Sequence, residues 1–389
     1  MAWTGGFSLC LLLPLLPLSL AEPDDAAPHQ RALRFVYEVE NQGDKPLRRL
    51  ELRLVLPPEL PRQKHLRLDV QRGTELVPGP KGGTWRLRAP AVLKRDPYGN
   101  RVAVFRCKKL APGHRFVAQW YGEFLLLTTK RQRLAQPLTL SRKERVRYLR
   151  DAPRYQTKSP VIRRYAKKLA AQPQEGLDLL RAIQSLVMDR MKYERAGGWD
   201  PAPLCLQRGT GSCSEYSFAF ISLCRAMGIP ARWSGGLALR KSERSLYVDK
   251  VFHRWAEAWL PEYGWVPVDA SRDDGEERDG KRRPSTLGTL QWPLLILARG
   301  DGVDALTGWS YHCSGKWAGK GGKSRRRGYW AKLRLPKDER EPTKPGRRHP
   351  AAQRQRMLFE SGAGHVDAPQ RPGMKPKTKL GPDKAKTPR

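Results

Sequence analysis

Between residues 31 and 126 apolar and polar positions alternate in short runs. The runs are "RALRFVYEVEN", "RRLELRLVLPP", "HLRLDV", "TWRLRAP", "RVAVFRCKKL" and "HRFVAQWYGEFLLL". Turn residues separate them, among them Asp96-Pro97-Tyr98-Gly99-Asn100. A period of two puts Leu and Val on one face and Arg on the other, so each run predicts a half-buried strand. Strands at this spacing predict an N-terminal β-sandwich over residues 31–126. The period then changes. Residues 127–159 read as a polar, basic linker with a short helix near Arg142–Arg150. "SPVIRRYAKKLAA" carries Pro160 just inside a helix start. "GLDLLRAIQSLVMDRMKYERAGG" places Leu177, Leu179, Leu180, Ile183, Leu186, Val187 and Met191 at helical spacing and ends in a Gly stop. These helices, a third after Cys213 and further strands predict a compact α+β domain over 160–318. Beyond it, residues 319–389 read as a basic, largely disordered tail, because apolar residues become too sparse to bury a core.

Ahead of the strands, an apolar run from Phe7 to Ala21 ends in Ser19-Leu20-Ala21, a small-x-small pattern. Residues 1–21 therefore read as a signal peptide, although no Lys or Arg precedes the run. The alternative, a membrane anchor, asks for about 20 uninterrupted apolar residues, and Pro14 and Pro17 break this stretch. No later stretch is apolar enough to span. The expected location is secreted or periplasmic. Five cysteines then remain: Cys107, Cys205, Cys213, Cys224 and Cys313. An odd number outside the cytosol leaves at least one thiol free or paired between chains. The 74 Lys and Arg against 38 Asp and Glu give a formal net charge of +36. That charge attracts anionic partners, here an anionic envelope polymer or surface, in a salt-sensitive way. It is spread along the chain, and no nucleic-acid-binding motif accompanies it, which counts against nucleic acid.

Chemistry enters with "RGTGSCSEYSFAFISLCRAMGIPAR", residues 208–232. Tyr216, Ala219, Phe220, Leu223, Cys224 and Met227 fall on one face of a helix that Gly228 stops. Ser212-Cys213-Ser214-Glu215 fits a capping box, which makes Cys213 the first residue inside the helix. Orphan N–H groups there favour a thiolate and can hold an oxyanion. Cys224 lies about 16 Å further along the axis, on the apolar face, and reads as core. On the helix alone, Cys213 is equally a packed small residue or half of a disulfide.

A second stretch, "VFHRWAEAWLPEYGWVPVDASR" (residues 251–272), reads as a β-hairpin about the turn "PEYG". His253 and Asp269 stand on opposite legs at similar distances from that turn. An imidazole beside a carboxylate is the base-and-orienter pair that a thiol nucleophile needs. Taken singly, a strand His is usually structural and a strand-end Asp is usually a turn former.

Together, "GSCSEYSFAFISLCRAMGIPAR", "HRWAEAWL" and "GWVPVDAS", in the order Cys–His–Asp, resemble the transglutaminase-like superfamily of papain-related thiol enzymes. The resemblance covers about residues 160–318. The preceding segment, "DPYGNRVAVFRCKKLAPG" above all, looks like the β-domain of secreted bacterial members. The resemblance implies a core with the nucleophile at a helix N-terminus packed on an antiparallel sheet. It implies Cys213 as nucleophile, His253 as general base and acid, and Asp269 as orienter. Gln207, six residues before Cys213, and Tyr193 are the candidate oxyanion donors; the alternative is a surface Gln and a core Tyr. Animal members use calcium, but no acidic calcium loop, metal set or cofactor motif is visible here. The expected activity is acyl transfer at amide bonds of a protein or peptide substrate, with hydrolysis slightly favoured over cross-linking. The competing expectation is a vestigial site in a binding or assembly protein that acts through its β-sandwich and basic tail.

Overall fold

The alternating runs become strands in the computed structural model, which describes residues 28–71, 73–78, 83–87, 91–195, 199–240, 244–274, 285–291 and 293–332. The expected signal peptide, and the expected tail from 333 on, lie outside the described residues. The chain begins with β1 (His29–Asn41), β2 (Leu47–Leu56), β3 (Gln63–Val70), β4 (Thr74–Val77), β5 (Thr84–Leu87), β6 (Val92–Arg95), β7 (Arg101–Leu110), β8 (Arg115–Leu126) and β9 (Thr129–Lys130). A helical stretch follows: α1 (Arg142–Leu149), α2 (Pro160–Ala170), α3 (Gly176–Arg190), β10 (Lys192–Tyr193), α4 (Ala202–Arg208), β11 (Thr210–Gly211) and α5 (Cys213–Ala226). The chain then forms β12 (Ala231–Ala238), β13 (Leu246–Asp249), β14 (His253–Leu260), β15 (Gly264–Val268), α6 (Ala270–Asp273), β16 (Thr289–Leu290), β17 (Leu294–Gly300), β18 (Cys313–Ala318) and β19 (Gly322–Lys332).

Strands β1 to β8 form two antiparallel sheets with three strands from late in the chain. One runs β13-β19-β1-β8-β4-β5, with β3 also on β8; the other runs β18-β2-β7-β6. Leu33, Phe35, Tyr37 and Val39 of β1 and Leu50, Leu52 and Leu54 of β2 alternate into one buried core. Close approach of the sheets explains Gly315 on β18, where a Cβ would meet Tyr37 and Leu52. The last strands correct the expected division of the chain. Cys313–Ala318 pairs with β2, and Gly322–Lys332, expected in the tail, lies between β13 and β1. Its Lys and Arg residues are exposed or half-buried, while Gly328, Trp330 and Ala331 are buried.

The sheet that carries the site runs β15-β14-β12-β17. Its open edge, β17, is closed by side-chain amides from the N-terminal part. Gln63 exchanges hydrogen bonds with the Ile296 backbone at 2.8 and 3.0 Å, and Asn100 does the same with Arg299. An amide group mimics a strand's donor–acceptor pair, so the edge is occupied at Ile296 and Arg299. The Asp96–Asn100 turn is built for this contact: Asp96 accepts from Tyr98 N and Asn100 N. The Tyr98 hydroxyl meets Asp301 and Arg150.

Helix α5 packs against β14 and β12 and is buried from Cys213 through Arg225, not along one face only as its pattern predicts. Its polar groups are satisfied internally. Ser222 donates to the Tyr155 carbonyl, and Arg225 to the carbonyls of Ala231 and Arg150. Helix α3 also departs from expectation. It ends at Arg190, before its Gly pair, because Lys192 and Tyr193 leave to pair in parallel with Thr210 and Gly211.

Candidate active site

Cys213 opens α5, and the capping box predicted from the sequence is formed. Ser212 N donates to Glu215 Oε2 at 2.9 Å, and the Ser212 hydroxyl caps the first turn. The second Glu215 oxygen accepts from Trp199 N at 2.8 Å. The carboxylate thus fixes both the helix start and the incoming chain. Gly211 is required by packing: a Cβ there would fall 2.6 Å from Glu215 Cβ. Gly209 has φ +78° and closes α4 in the left-handed region.

The hairpin β14–β15 forms as expected, with Leu260 opposite Gly264 and Ala256 opposite Val268. Beyond its last pair, His253 and Asp269 turn toward each other, and His253 Nε2 lies 2.6 Å from Asp269 Oδ2. The other carboxylate oxygen accepts from the Ser271 hydroxyl at 3.0 Å and from Arg272 N, so Asp269 also caps α6. The imidazole lies over the Trp255 ring, with centroids 5.9 Å apart. With Nε2 committed to Asp269, Nδ1 is left for the Cys213 thiol, whose charge acts on the ring.

The three groups shift one another. Burial pushes the Cys213 thiol up, but the hydrogen bond and charge of His253, with the Arg254 N–H and charge, outweigh it and leave the thiol lowered. Burial pulls His253 down, and Asp269 and Cys213 together raise it well above the free imidazole. Burial pushes Asp269 up, and His253, Ser271 and Arg272 bring it below the usual carboxylate range. All three directions favour a thiolate–imidazolium pair over thiol and imidazole. Cys224 is the contrast within one helix: it is fully buried, and desolvation drives its thiol far upward. No disulfide joins any two of the five described cysteines, and all five are buried.

Of the two candidate oxyanion donors, Tyr193 is the one on whose hydroxyl the charge of Cys213 acts. The β10–β11 pairing holds it beside Gly211, and its hydroxyl is raised by burial and then by the charge of Cys213. Gln207 is exposed on α4, and none of the described contacts joins it to Cys213. Papain-like spacing fails here because α4 runs on through Gln207 and turns that side chain outward. Sequence reasoning missed Arg254, Glu215's hold on Trp199 and the Trp255 platform. The adjacency of Arg254 to His253 was the available signal for the first.

Residues 163–270 match the family model of the transglutaminase-like superfamily. A protein-glutamine gamma-glutamyltransferase of Pseudomonas aeruginosa is 38% identical over 74 residues, which is 18% of this chain and 11% of that protein. YebA, an uncharacterized protein of Bacillus subtilis, is 33% identical over 70 residues, 16% of this chain and 10% of its own length. The similarity thus spans about a tenth of either relative. Among solved structures, one described as a candidate cysteine protease from Cytophaga hutchinsonii shares the fold. It has a TM-score of 0.54 at 15% identity and covers 80% of this chain and 93% of its own. The helix that carries Cys213 and the hairpin that carries His253 and Asp269 both fall in the matched segment, so residues 163–270 are a transglutaminase-like domain.

Proposed function

We propose that this chain is a thiol enzyme that opens amide bonds of proteins or peptides through a Cys213 acyl-enzyme. One observation carries the reading: His253 Nε2 lies 2.6 Å from Asp269 Oδ2 at the end of the β14–β15 hairpin, which packs on the helix that Cys213 opens, and the charges of Cys213 and His253 act on each other. The thiolate attacks the amide carbonyl carbon, and a C–S bond forms. The oxyanion meets the Cys213 N–H, an orphan donor of the first helical turn, and the Tyr193 hydroxyl. Protonated His253 gives its Nδ1 proton to the leaving nitrogen, and the C–N bond breaks. The acceptor then passes a proton to His253 and attacks the thioester, and the C–S bond breaks to restore the thiolate. Asp269 holds the ring orientation and stabilises the imidazolium throughout.

Water as acceptor makes the chain a protease or amidase, our first reading. An amine makes it a cross-linker, a reading favoured by the activity for which the Pseudomonas relative is named. Incubation with a glutamine-rich protein, with and without a labelled primary amine, tests both. We expect cleavage or ammonia release by the native chain and none by Cys213→Ala. Label incorporation without hydrolysis selects the cross-linker. Equal signals from both chains overturn the enzyme in favour of a binding protein.

Secretion or periplasmic location belongs to the same proposal and rests on residues 1–21; a mature N-terminus near Glu22 is the expected result of sequencing the exported protein. Exposed Arg106, Lys108 and Lys109 on β7 support salt-sensitive adsorption to an anionic envelope polymer. Equal, salt-insensitive retention on anionic and neutral matrices contradicts that part.

A further inference from the structure

Arg254 follows His253 on β14 and is fully buried. Its guanidinium sits 4.8–5.1 Å from the ring centroids of Trp199, Phe218, Trp233 and Tyr311. Nη2 donates to the Trp309 carbonyl, while Nε and Nη1 have no hydrogen-bond partner. A guanidinium cannot shed its proton as a buried lysine does, so the charge stays. Ring faces offset part of the cost of burying it, and a neighbouring anion offsets more.

Few anions are available. Among the described residues no carboxylate forms an ion pair with Arg254. Glu215 acts on it from a distance, and its oxygens are already taken by Ser212 and Trp199. Tyr311 and Tyr155, the other titratable groups facing Arg254, are pushed far up by burial and stay neutral. Tyr193 on β10, on which the charge of Cys213 acts, is also raised. That leaves Cys213. The helix that Cys213 opens packs on β14 and contributes Phe218 to the cage, and the charges of Cys213 and Arg254 act on each other.

We propose that Arg254 is a second, permanent cation of the site, so that the Cys213 thiolate is held between His253 and Arg254. Along Asp269, His253, Cys213 and Arg254 the charges then alternate, each ion beside an opposite one. The aromatic cage keeps the guanidinium dry and fixed, so it needs no reorganisation when charge appears on sulfur. This inference rests on Cys213 being the nucleophile.

The test is the pH dependence of Cys213 alkylation by iodoacetamide in the full chain, read by mass spectrometry, for the native protein, Arg254→Met and Arg254→Lys. Met is apolar, near in length and suited to an aromatic cage. We expect R254M to fold and to raise the alkylation midpoint by about one pH unit, with alkylation at pH 6 about tenfold slower, the low end of what a neighbouring opposite charge produces. R254K places an ammonium there that can shed its proton when buried, so its midpoint should fall between those of the native protein and R254M. If R254M does not fold, Arg254→Gln, which can still donate to the Trp309 carbonyl without carrying charge, replaces it in the comparison. A folded uncharged variant with the native midpoint overturns the proposal, because a packing role moves melting temperature and not the thiol titration. An ordinary thiol titration in the native chain is a separate result, and it removes the nucleophile assignment itself.

Discussion

Replacing Glu215 by Gln isolates what the capping carboxylate does. Glu215 is fully buried, and its oxygens accept from Ser212 N at 2.9 Å, from Trp199 N at 2.8 Å and from the Ser212 hydroxyl. Gln keeps one acceptor oxygen and presents an NH2 where the other stood. One of the two backbone N–H groups then faces a donor, and an unsatisfied buried donor costs about 1–3 kcal/mol. The bond that survives changes from charge-assisted to neutral, which removes about 1 kcal/mol more. The expected loss is therefore about 2–4 kcal/mol, a large part of a typical total of ~5–15 kcal/mol. Urea unfolding followed by tryptophan fluorescence, with an unchanged slope, reads this as a lower midpoint. Glu215→Ala should lose at least as much. The removed charge is negative, so the folded fraction of E215Q should still alkylate rapidly at low pH. A stability within 1 kcal/mol of native, or loss of that fast alkylation in folded protein, would refute the assigned role.

Asp269→Asn should keep the α6 cap, because Asn caps as well as Asp, yet reduce amide turnover by about 10³–10⁴ through loss of the imidazole's orientation and charge partner. Native-like melting with activity lost is the expected pattern; native activity would contradict it. Glu257 is buried; burial raises its carboxyl, but Arg299, Arg232 and Arg131 overcome that and lower it to about 2. A carboxyl depressed on folding stabilises above its unfolded value near ~4.3 and loses that contribution as pH falls toward 2. Glu257→Gln should then cost on the order of 3 kcal/mol at pH 7 and flatten the stability profile between about pH 5 and pH 2; an unchanged acid limb in denaturation curves would argue otherwise. A chain ending at Gly321 lacks the strand between β13 and β1, so it should be insoluble or lack cooperative melting, and a native melting curve would show that the strand is dispensable.

What could be read from the sequence depended on whether the signal was local. The Cys213 helix was legible because its cap, its apolar spacing and its Gly stop lie within sixteen residues of each other. The hairpin was legible for the same reason: one turn sets the His253 and Asp269 legs. Strand Gly322–Lys332 was not, since "GKSRRRGYWAK" carries only Trp330 and Ala331 as buried apolar side chains. Its stability comes from β1, where Arg325 lies 3.7 Å from Glu38 and 3.8 Å from Glu40, nearly three hundred residues earlier. The Arg254 cage was hidden likewise, since its rings come from positions 199, 218, 233 and 311. Gln207 misled because spacing to Cys213 does not reveal which way a helix turns a side chain.

The central claim is that Cys213 is an activated thiolate paired with His253. The most direct measurement is the alkylation rate of Cys213 against pH in the native chain and in His253→Ala. The thiol is lowered and His253 is raised. The ion pair should therefore form well below the ~8.5 of a free thiol and persist above the ~6.5 of a free imidazole. The account predicts fast alkylation through that window and a midpoint that moves up when His253 is removed. A native thiol that titrates like a free cysteine, or a midpoint indifferent to His253, would contradict it.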